Sequence, residues 1–283
     1  MKIFLVATRI YPECLGLFYQ RAFKALGHEV DLWDPRVTPQ YTVKTKPDLT
    51  VVIKEFVNPS MLPSPRVYIF PDQTMHENYG QYLDMLTPHY DKVYFCMEHD
   101  QAIMNHYKAE LLPFAIDPEI HKPLKTTKDI DISFIGTNRP GREELVKFLN
   151  DNGVKMKIWG NNWSSDTPNY MGPAIYLREK RDVSNRSKIV LNHHYLIGPN
   201  MRFFEALGYR CFMLSDKVPG IEELGFIENT EYVPYADMND LLEKIRDFLA
   251  RDSDRERIAR LGWKFVSKYH TYIQRVEELL AST

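Results

Sequence analysis

The sequence predicts an α/β protein made of two Rossmann-like domains, each with a parallel sheet. Three observations predict it. Short runs of β-branched and aromatic residues recur along the whole chain, helical stretches with one apolar face lie between them, and this alternation breaks once, near the middle, in a proline-rich stretch.

The apolar runs are IFLVA from Ile3, VDLW from Val30, LTVVI from Leu49, VYIF from Val67 and VYFC from Val93. The second half continues with ISFI from Ile132, MKIW from Met156, KIVLN from Lys188, CFML from Cys211 and YVPY from Tyr232. Runs this continuously apolar suit strands covered on both faces, as in a parallel sheet, rather than strands with one wet face.

The clearest helix places Leu15, Phe18, Tyr19, Ala22, Phe23 and Leu26 on one face, and Gly27 stops it. Similar faces are Leu241, Leu242, Ile245, Phe248 and Leu249, then Ile258, Leu261 and Phe265, with Ser253 the expected N-cap of the latter helix. The break is ELLPFAIDPEIHKPLKTTKDID, where Pro113, Pro118 and Pro123 forbid a long helix or a central strand. The expected domains are therefore residues 1–115 and 128–265, with 266–283 a closing helix that crosses back to the first domain. A ligand cleft between the domains is the expected consequence.

With 283 residues, 44% of them hydrophobic and 26% charged, the chain can fill two cores. A net charge of -2 and no long Lys/Arg block count against an electrostatic nucleic-acid or membrane surface. Cys14, Cys96 and Cys211 lack CxxC spacing, which suggests neither a disulfide framework nor a zinc site and fits a reducing cytoplasm. No signal sequence is evident and no apolar stretch approaches the roughly eighteen residues of a transmembrane segment. A cytoplasmic, soluble protein is expected.

In doubly wound domains ligands bind at the carboxyl ends of strands. After ISFI comes GTNRPGREELVKFL, in which Gly136, Arg139 and Arg142 precede or open a helix. Backbone and guanidinium donors there suit a diphosphate, although Arg142 could simply pair with Glu143 or Glu144. After KIVLN, with Asn192 at its end, come His193 and His194 and then a helix opening near Asn200 that carries Arg202 and Glu205 three apart. The carboxylate could accept ribose hydroxyls and the arginine face a phosphate, or the two could be a surface i, i+3 pair. Adjacent histidines on an extended strand point to opposite faces and have no partner at metal-ligand spacing, so no metal site is expected. Pro219 and Gly220 set a tight turn, after which Glu222 and Glu223 sit at an expected helix start, where they could hold sugar hydroxyls or merely favour the helix dipole.

Together these segments resemble the CgeB-like branch of the group 1 glycosyltransferases, GT-B proteins related to a spore maturation protein. LPFAIDPEIHKP resembles the family's crossing between domains, ISFIGTNRPGREELVKFL its first strand, phosphate loop and arginine, and KIWGNNW its second unit. SKIVLNHHYLIGPNMRFFEALGYRCFMLSDKVPGIEELGF resembles its Asn-x-Arg-x-x-Glu helix, next strand and Pro-Gly turn, and ARDSDRERIARLGWKFVSKYHTYIQRVEELL its closing helices. The resemblance implies the GT-B fold, two Rossmann-like domains with parallel sheets facing across a cleft. It further implies transfer of a sugar from a nucleotide-sugar donor to a hydroxyl-bearing acceptor, with no cofactor and no metal.

Carried over, Arg142 and Arg202 would meet the donor phosphates, Glu205 the ribose and Glu222 the sugar or phosphate end, with Asn192 and His193 lining the same place. Many group 1 enzymes have two glutamates eight positions apart, the first on the sugar. Here that first position is Ile197, so the sugar-holding role is displaced or lost. In the first domain, Asp72 after VYIF is the first choice for a catalytic base and Glu98 the second, each competing with a plain helix-start role. The acceptor stays open among protein, glycan, lipid head group, small molecule and modified DNA base. The competing functions are a nucleotide-sugar epimerase and a non-catalytic nucleotide-sugar-binding or coat-assembly protein.

Overall fold

The structure, a computed structural model, describes residues 1–41, 45–73 and 79–283. It divides into two compact units, Met1–Asp117 with Thr271–Thr283, and Pro118–His270.

The first unit holds strands β1 (Lys2–Ala7), β2 (Glu29–Trp33), β3 (Leu49–Ile53), β4 (Arg66–Phe70), β5 (Lys92–Phe95) and β6 (Ala109–Leu111), with helices α1 (Leu15–Ala25), α2 (Tyr79–Leu86) and α3 (Gln101–Tyr107). The strands form one parallel sheet in the order β2-β1-β3-β4-β5-β6. Every residue of the central strand β3 is buried, as an uninterrupted apolar run requires. The carboxy-terminal helix, Tyr272–Ala281, belongs to this unit. Its N-terminus is closed by a capping box between Thr271 and Gln274. The Tyr272 ring stacks on Phe18 of α1 at 5.0 Å, and Arg275 Nε donates to the carbonyl of Pro113 at 2.9 Å. The apolar residues of that helix are thus spent on α1.

The second unit holds β7 (Ile130–Ile135), β8 (Met156–Trp159), β9 (Tyr170–Gly172), β10 (Ser187–Asn192), β11 (Met213–Asp216) and β12 (Val233–Tyr235). Its helices are α4 (Arg142–Asp151), α5 (Leu177–Arg186), α6 (Met201–Gly208), α7 (Met238–Leu249) and α8 (Asp252–Tyr269). The parallel sheet runs β12-β11-β10-β7-β8-β9. From β7 the chain builds outward through β8 and β9, then returns to lay β10 on the other side of β7. The crevice beyond the carboxyl ends of β7 and β10 is therefore the topological switch point.

Each expected apolar run becomes a strand, although that of CFML begins later, at Met213. The short edge strands β6 and β9 went unpredicted because each is three residues long with an exposed middle residue, Glu110 or Met171, and pairs only because a neighbouring strand templates it. Ser253 is not an N-cap: α8 starts one residue earlier with Arg251 in the cap position, and Arg255 secures that start by donating to the carbonyls of Phe248 and Leu249. Nor do Glu222 and Glu223 begin a helix. They lie on a single turn closed by bonds from Leu224 N–H to Gly220 and Gly225 N–H to Glu222, entered through Gly220 at φ +92°.

Candidate functional site

At the switch point of the second unit, the loop after β7 leads through Gly136 to α4 and the loop after β10 leads through His193 to α6. Arg142 is the first residue of α4, whose N-cap is Gly141 at φ +86°. The residue is 4% exposed and its guanidinium spans both loops, with Nη1 donating to the carbonyl of Thr137 at 2.5 Å and Nη2 to that of His193 at 2.6 Å. Among the described residues its Nε makes no hydrogen bond. The expected alternative, pairing with Glu143 or Glu144, does not occur; Glu143 instead accepts from Asn138 Nδ2 at 2.6 Å.

Arg202, on the first turn of α6, donates through Nη1 to Asn192 Oδ1 at 3.2 Å. The two guanidinium carbons lie 5.2 Å (Arg142) and 5.0 Å (Arg202) from the centroid of the same Phe134 ring. Among the described residues, neither guanidinium comes within 4.0 Å of a carboxylate. Burial, and then the charge of Arg202, push Arg142 down to about 9, and burial lowers Arg202 as well. One buried and one half-buried cation over one ring, with no carboxylate in contact among the described residues, are an electrostatic arrangement that an anion would complete.

Asn192 organises the floor of this site. Its Oδ1 accepts from Asn200 Nδ2 and Arg202, its Nδ2 donates to Ser215 Oγ at 3.2 Å, and Asn200 caps α6 by accepting from Phe203 N–H at 2.9 Å. The two histidines do not diverge as strand alternation would have them, because β10 ends at Asn192 and alternation ends with it. Both turn to Asp216 at the end of β11, with His194 Nδ1 at 2.7 Å and His193 Nδ1 at 3.6 Å. Burial alone would raise the Asp216 carboxyl, but the hydrogen bond and charge of His194, followed by His193, hold it below the usual range.

Glu205 departs most from its expected setting. It does not pair with Arg202 on a wet helix face: the residue is 3% exposed and its carboxylate meets Lys180 Nζ of α5 at 2.8 Å and His121 Nε2 at 3.6 Å. Burial would raise this carboxyl, and Lys180 with His121 hold it well below the carboxylate range instead. Three residues along α6 from Arg202, the helix has turned inward, so the two side chains serve different neighbours.

The structure therefore brings together Gly136, Arg142, Asn192, His193, Asn200 and Arg202. Arg139 stands exposed at the rim with its guanidinium over the Tyr195 ring at 5.2 Å. Gly220 is buried and Glu222 exposed on the turn that follows β11. Asp72 and Glu98 belong to the first unit. Asp72, 22% exposed at its side chain, pairs with Lys54 from the end of β3, and Glu98, 6% exposed, accepts from the backbone N–H groups of His99 and Asp100 at 3.1 Å each. The cap of α3 is Asp100, not Glu98; whether Asp72 caps a helix falls on residues 74–78, outside those described.

Phe134, Asp216, Tyr235, Lys180 and His121 were not singled out from sequence. Phe134 and Tyr235 read as ordinary strand core, and only their place at strand ends beside the switch point could have marked them. Asp216 closes the CFMLSD run and was the most findable of them. Among the described residues, no group of three or more His, Cys, Asp or Glu side chains is placed to hold a metal ion, and no helix is long and apolar enough to cross a membrane.

The family model described as glycosyl transferase-like matches residues 139–281. No curated protein matches the chain. Among solved structures it is similar to sucrose-phosphate synthase from Thermosynechococcus elongatus, with a TM-score of 0.71 at 12% identity over 100% of both chains. It is similar to the Anabaena protein HepE in complex with UDP and glucose, with a TM-score of 0.71 at 12% identity, again over 100% of both chains. A glycosyltransferase from Rickettsia africae gives a TM-score of 0.70 at 9% identity over 99% of this chain and 97% of that one. At such identities the structural likenesses speak for the fold, and the family match supplies the rest. This chain belongs to the glycosyl transferase-like family and is an enzyme of the GT-B fold.

Proposed function

We propose that the protein transfers a sugar from a nucleotide-diphosphate donor to a hydroxyl-bearing acceptor without a metal ion, and that Arg142 and Arg202 hold the donor diphosphate. The observation that carries this reading is the pair of guanidinium groups over Phe134, buried or half-buried and without a carboxylate in contact. When the bond from the sugar to the diphosphate breaks, negative charge grows on the leaving phosphate. Fixed cations and the N-terminus of α4 stabilise that charge in place of a metal ion. HepE was solved with UDP and with UDP-glucose, which makes a uridine donor the first to try. The Asn-x-Arg-x-x-Glu helix and Pro-Gly turn favour the CgeB-like branch of the family.

In this reading Asp72 is the first choice for a base toward the acceptor, because its side chain keeps more exposure than that of the buried Glu98. Thermal-shift measurements with UDP-, GDP-, ADP-, CMP- and dTDP-sugars test the donor site: a true donor raises the melting midpoint by linkage, and Arg202→Met abolishes the rise. No shift with any of them would sink the reading. Incubating the labelled donor alone then separates the functions, since an epimerase changes the sugar, a transferase at most hydrolyses it slowly, and a binding protein does neither on any acceptor extract.

A further inference from the structure

We propose that His193 takes up a proton when the donor diphosphate binds, and that Tyr235 is a positioning residue that decides which ring nitrogen receives it. The inference rests on the donor-site reading above.

The Tyr235 hydroxyl lies 3.2 Å from the backbone carbonyl oxygen of Asn192 and 2.8 Å from His193 Nδ1. A carbonyl can only accept, so the arrangement that makes both contacts hydrogen bonds points the single hydroxyl proton to Asn192. Toward His193 the phenolic oxygen must accept, and Nδ1 must carry a hydrogen. The neutral imidazole is thereby held with its lone pair on Nε2. Stacking keeps the ring in place, the two centroids being 6.3 Å apart with planes 11° from parallel.

Nε2 makes no hydrogen bond among the described residues. It lies 3.9 Å from where a β-carbon on Gly141 would stand, at the cap of α4 beside Arg142. The His193 side chain is 24% exposed, open enough for a ligand to reach. A lone pair facing a phosphate oxygen repels it, whereas a protonated Nε2 donates a charge-assisted hydrogen bond.

The groups that face this imidazole are Arg142 from α4, Arg202 from α6, His194 on its own loop, Asp216 from β11 and Tyr235 from β12. In the structure, burial holds His193 below its ordinary value. Asp216 pulls the other way, and Arg142, His194 and Arg202 add to the depression, the two guanidinium groups through their positive charge. A diphosphate reverses that balance by neutralising the guanidinium groups and placing negative charge by Nε2. Binding and protonation then favour each other reciprocally.

The ring could supply an Nε2–H without taking up a proton only by moving the hydrogen off Nδ1. Tyr235 would then have to turn its own proton away from Asn192. Tyr235→Phe lifts that restriction and leaves the ring packed. His193→Gln offers an N–H at every pH.

The test is calorimetric titration with UDP-glucose, GDP-mannose, ADP-glucose and dTDP-glucose, whose diphosphate diesters do not titrate near neutrality. It is run in PIPES and in Tris, whose ionisation enthalpies differ, between pH 6 and 8.5 (chosen to bracket the ordinary histidine value, about 6.5). Expected for the wild type is uptake approaching one proton per donor bound, with affinity falling by up to tenfold per pH unit as pH rises through the interval between the free and bound titrations. Expected for His193→Gln is no uptake, and for Tyr235→Phe reduced uptake with a flatter pH profile and unchanged circular dichroism. Wild-type binding with no buffer dependence overturns this inference and leaves the donor site standing. Uptake that persists in His193→Gln also overturns it, and unchanged uptake in Tyr235→Phe removes the role of Tyr235. Failure of all these donors to bind overturns both readings.

Discussion

A β-carbon at position 136 would stand 2.4 Å from Nη2 of Arg202 and 2.9 Å from its Cζ. The guanidinium of one switch-point helix thus occupies the space that a side chain on the opposite loop would fill. Glycine is required at 136 by that space, and Arg202 reaches Asn192 and Phe134 because of it.

Gly136→Ala is expected to displace the Arg202 guanidinium while the protein still folds, since the clash is with the end of a long side chain. Losing one charge-assisted contact to the diphosphate costs about 1.5–3 kcal/mol, or roughly a ten- to hundredfold rise in donor Kd. Calorimetry on the variant reads this directly. A donor Kd equal to wild type would mean that Arg202 does not hold the phosphate.

Glu205→Gln takes away the carboxylate that meets the half-buried Lys180 at 2.8 Å, and a loss of up to roughly 3–5 kcal/mol is expected. Replacing the pair together, as Lys180→Met with Glu205→Leu, should recover much of it in denaturant unfolding. If the two losses simply add, the pair is not coupled in the folded protein. The ribose role is read separately: a donor and its 2′-deoxy analogue should differ in Kd for the wild type and converge in the Glu205→Gln variant.

Stability should fall toward acid in two steps of the same sign. The Asp216 carboxyl is depressed in the folded protein, so its contribution is present above the unfolded value of about 3.9 and disappears as pH falls through the lower folded value. His193 is also depressed, and there the contribution is present above about pH 6.5 and declines as pH drops toward the folded value. Urea unfolding from pH 3 to 8 should show Asp216→Asn removing much of the first step and His193→Gln the second. A wild-type profile flat across both windows would contradict the assignment.

Transfer should proceed undiminished in EDTA, because arginine charge and the N-terminus of α4 are proposed to serve the leaving group. Activity lost to chelator and regained with manganese would refute this.

For the base, Asp72→Asn is expected to cut kcat by about 100-fold or more with donor Kd unchanged. Glu98→Gln should act mainly on stability through the turn at His99 and Asp100. If both variants keep full turnover, the proton leaves by another route, such as the departing phosphate.

Residue pattern alone was enough for ten strands, all but the short edges β6 and β9 among those described, for the proline break and for the loops that carry Gly136, Arg142, Asn192 and Arg202. These are local or periodic properties: an apolar run buried on both faces looks the same whichever neighbour it pairs with, and a loop at a strand end is marked by its glycines and charges. The strand order belongs to tertiary structure, because it is set by pairings between segments far apart in sequence, such as β7 with β10. So do the partners of the charged groups. Spacing put Arg202 and Glu205 on one helix face, but it cannot tell that Asn192 and Phe134 lie beyond the first and Lys180 and His121 beyond the second. A side chain's partner depends on which distant elements reach its few ångströms of space, and only the folded chain decides that.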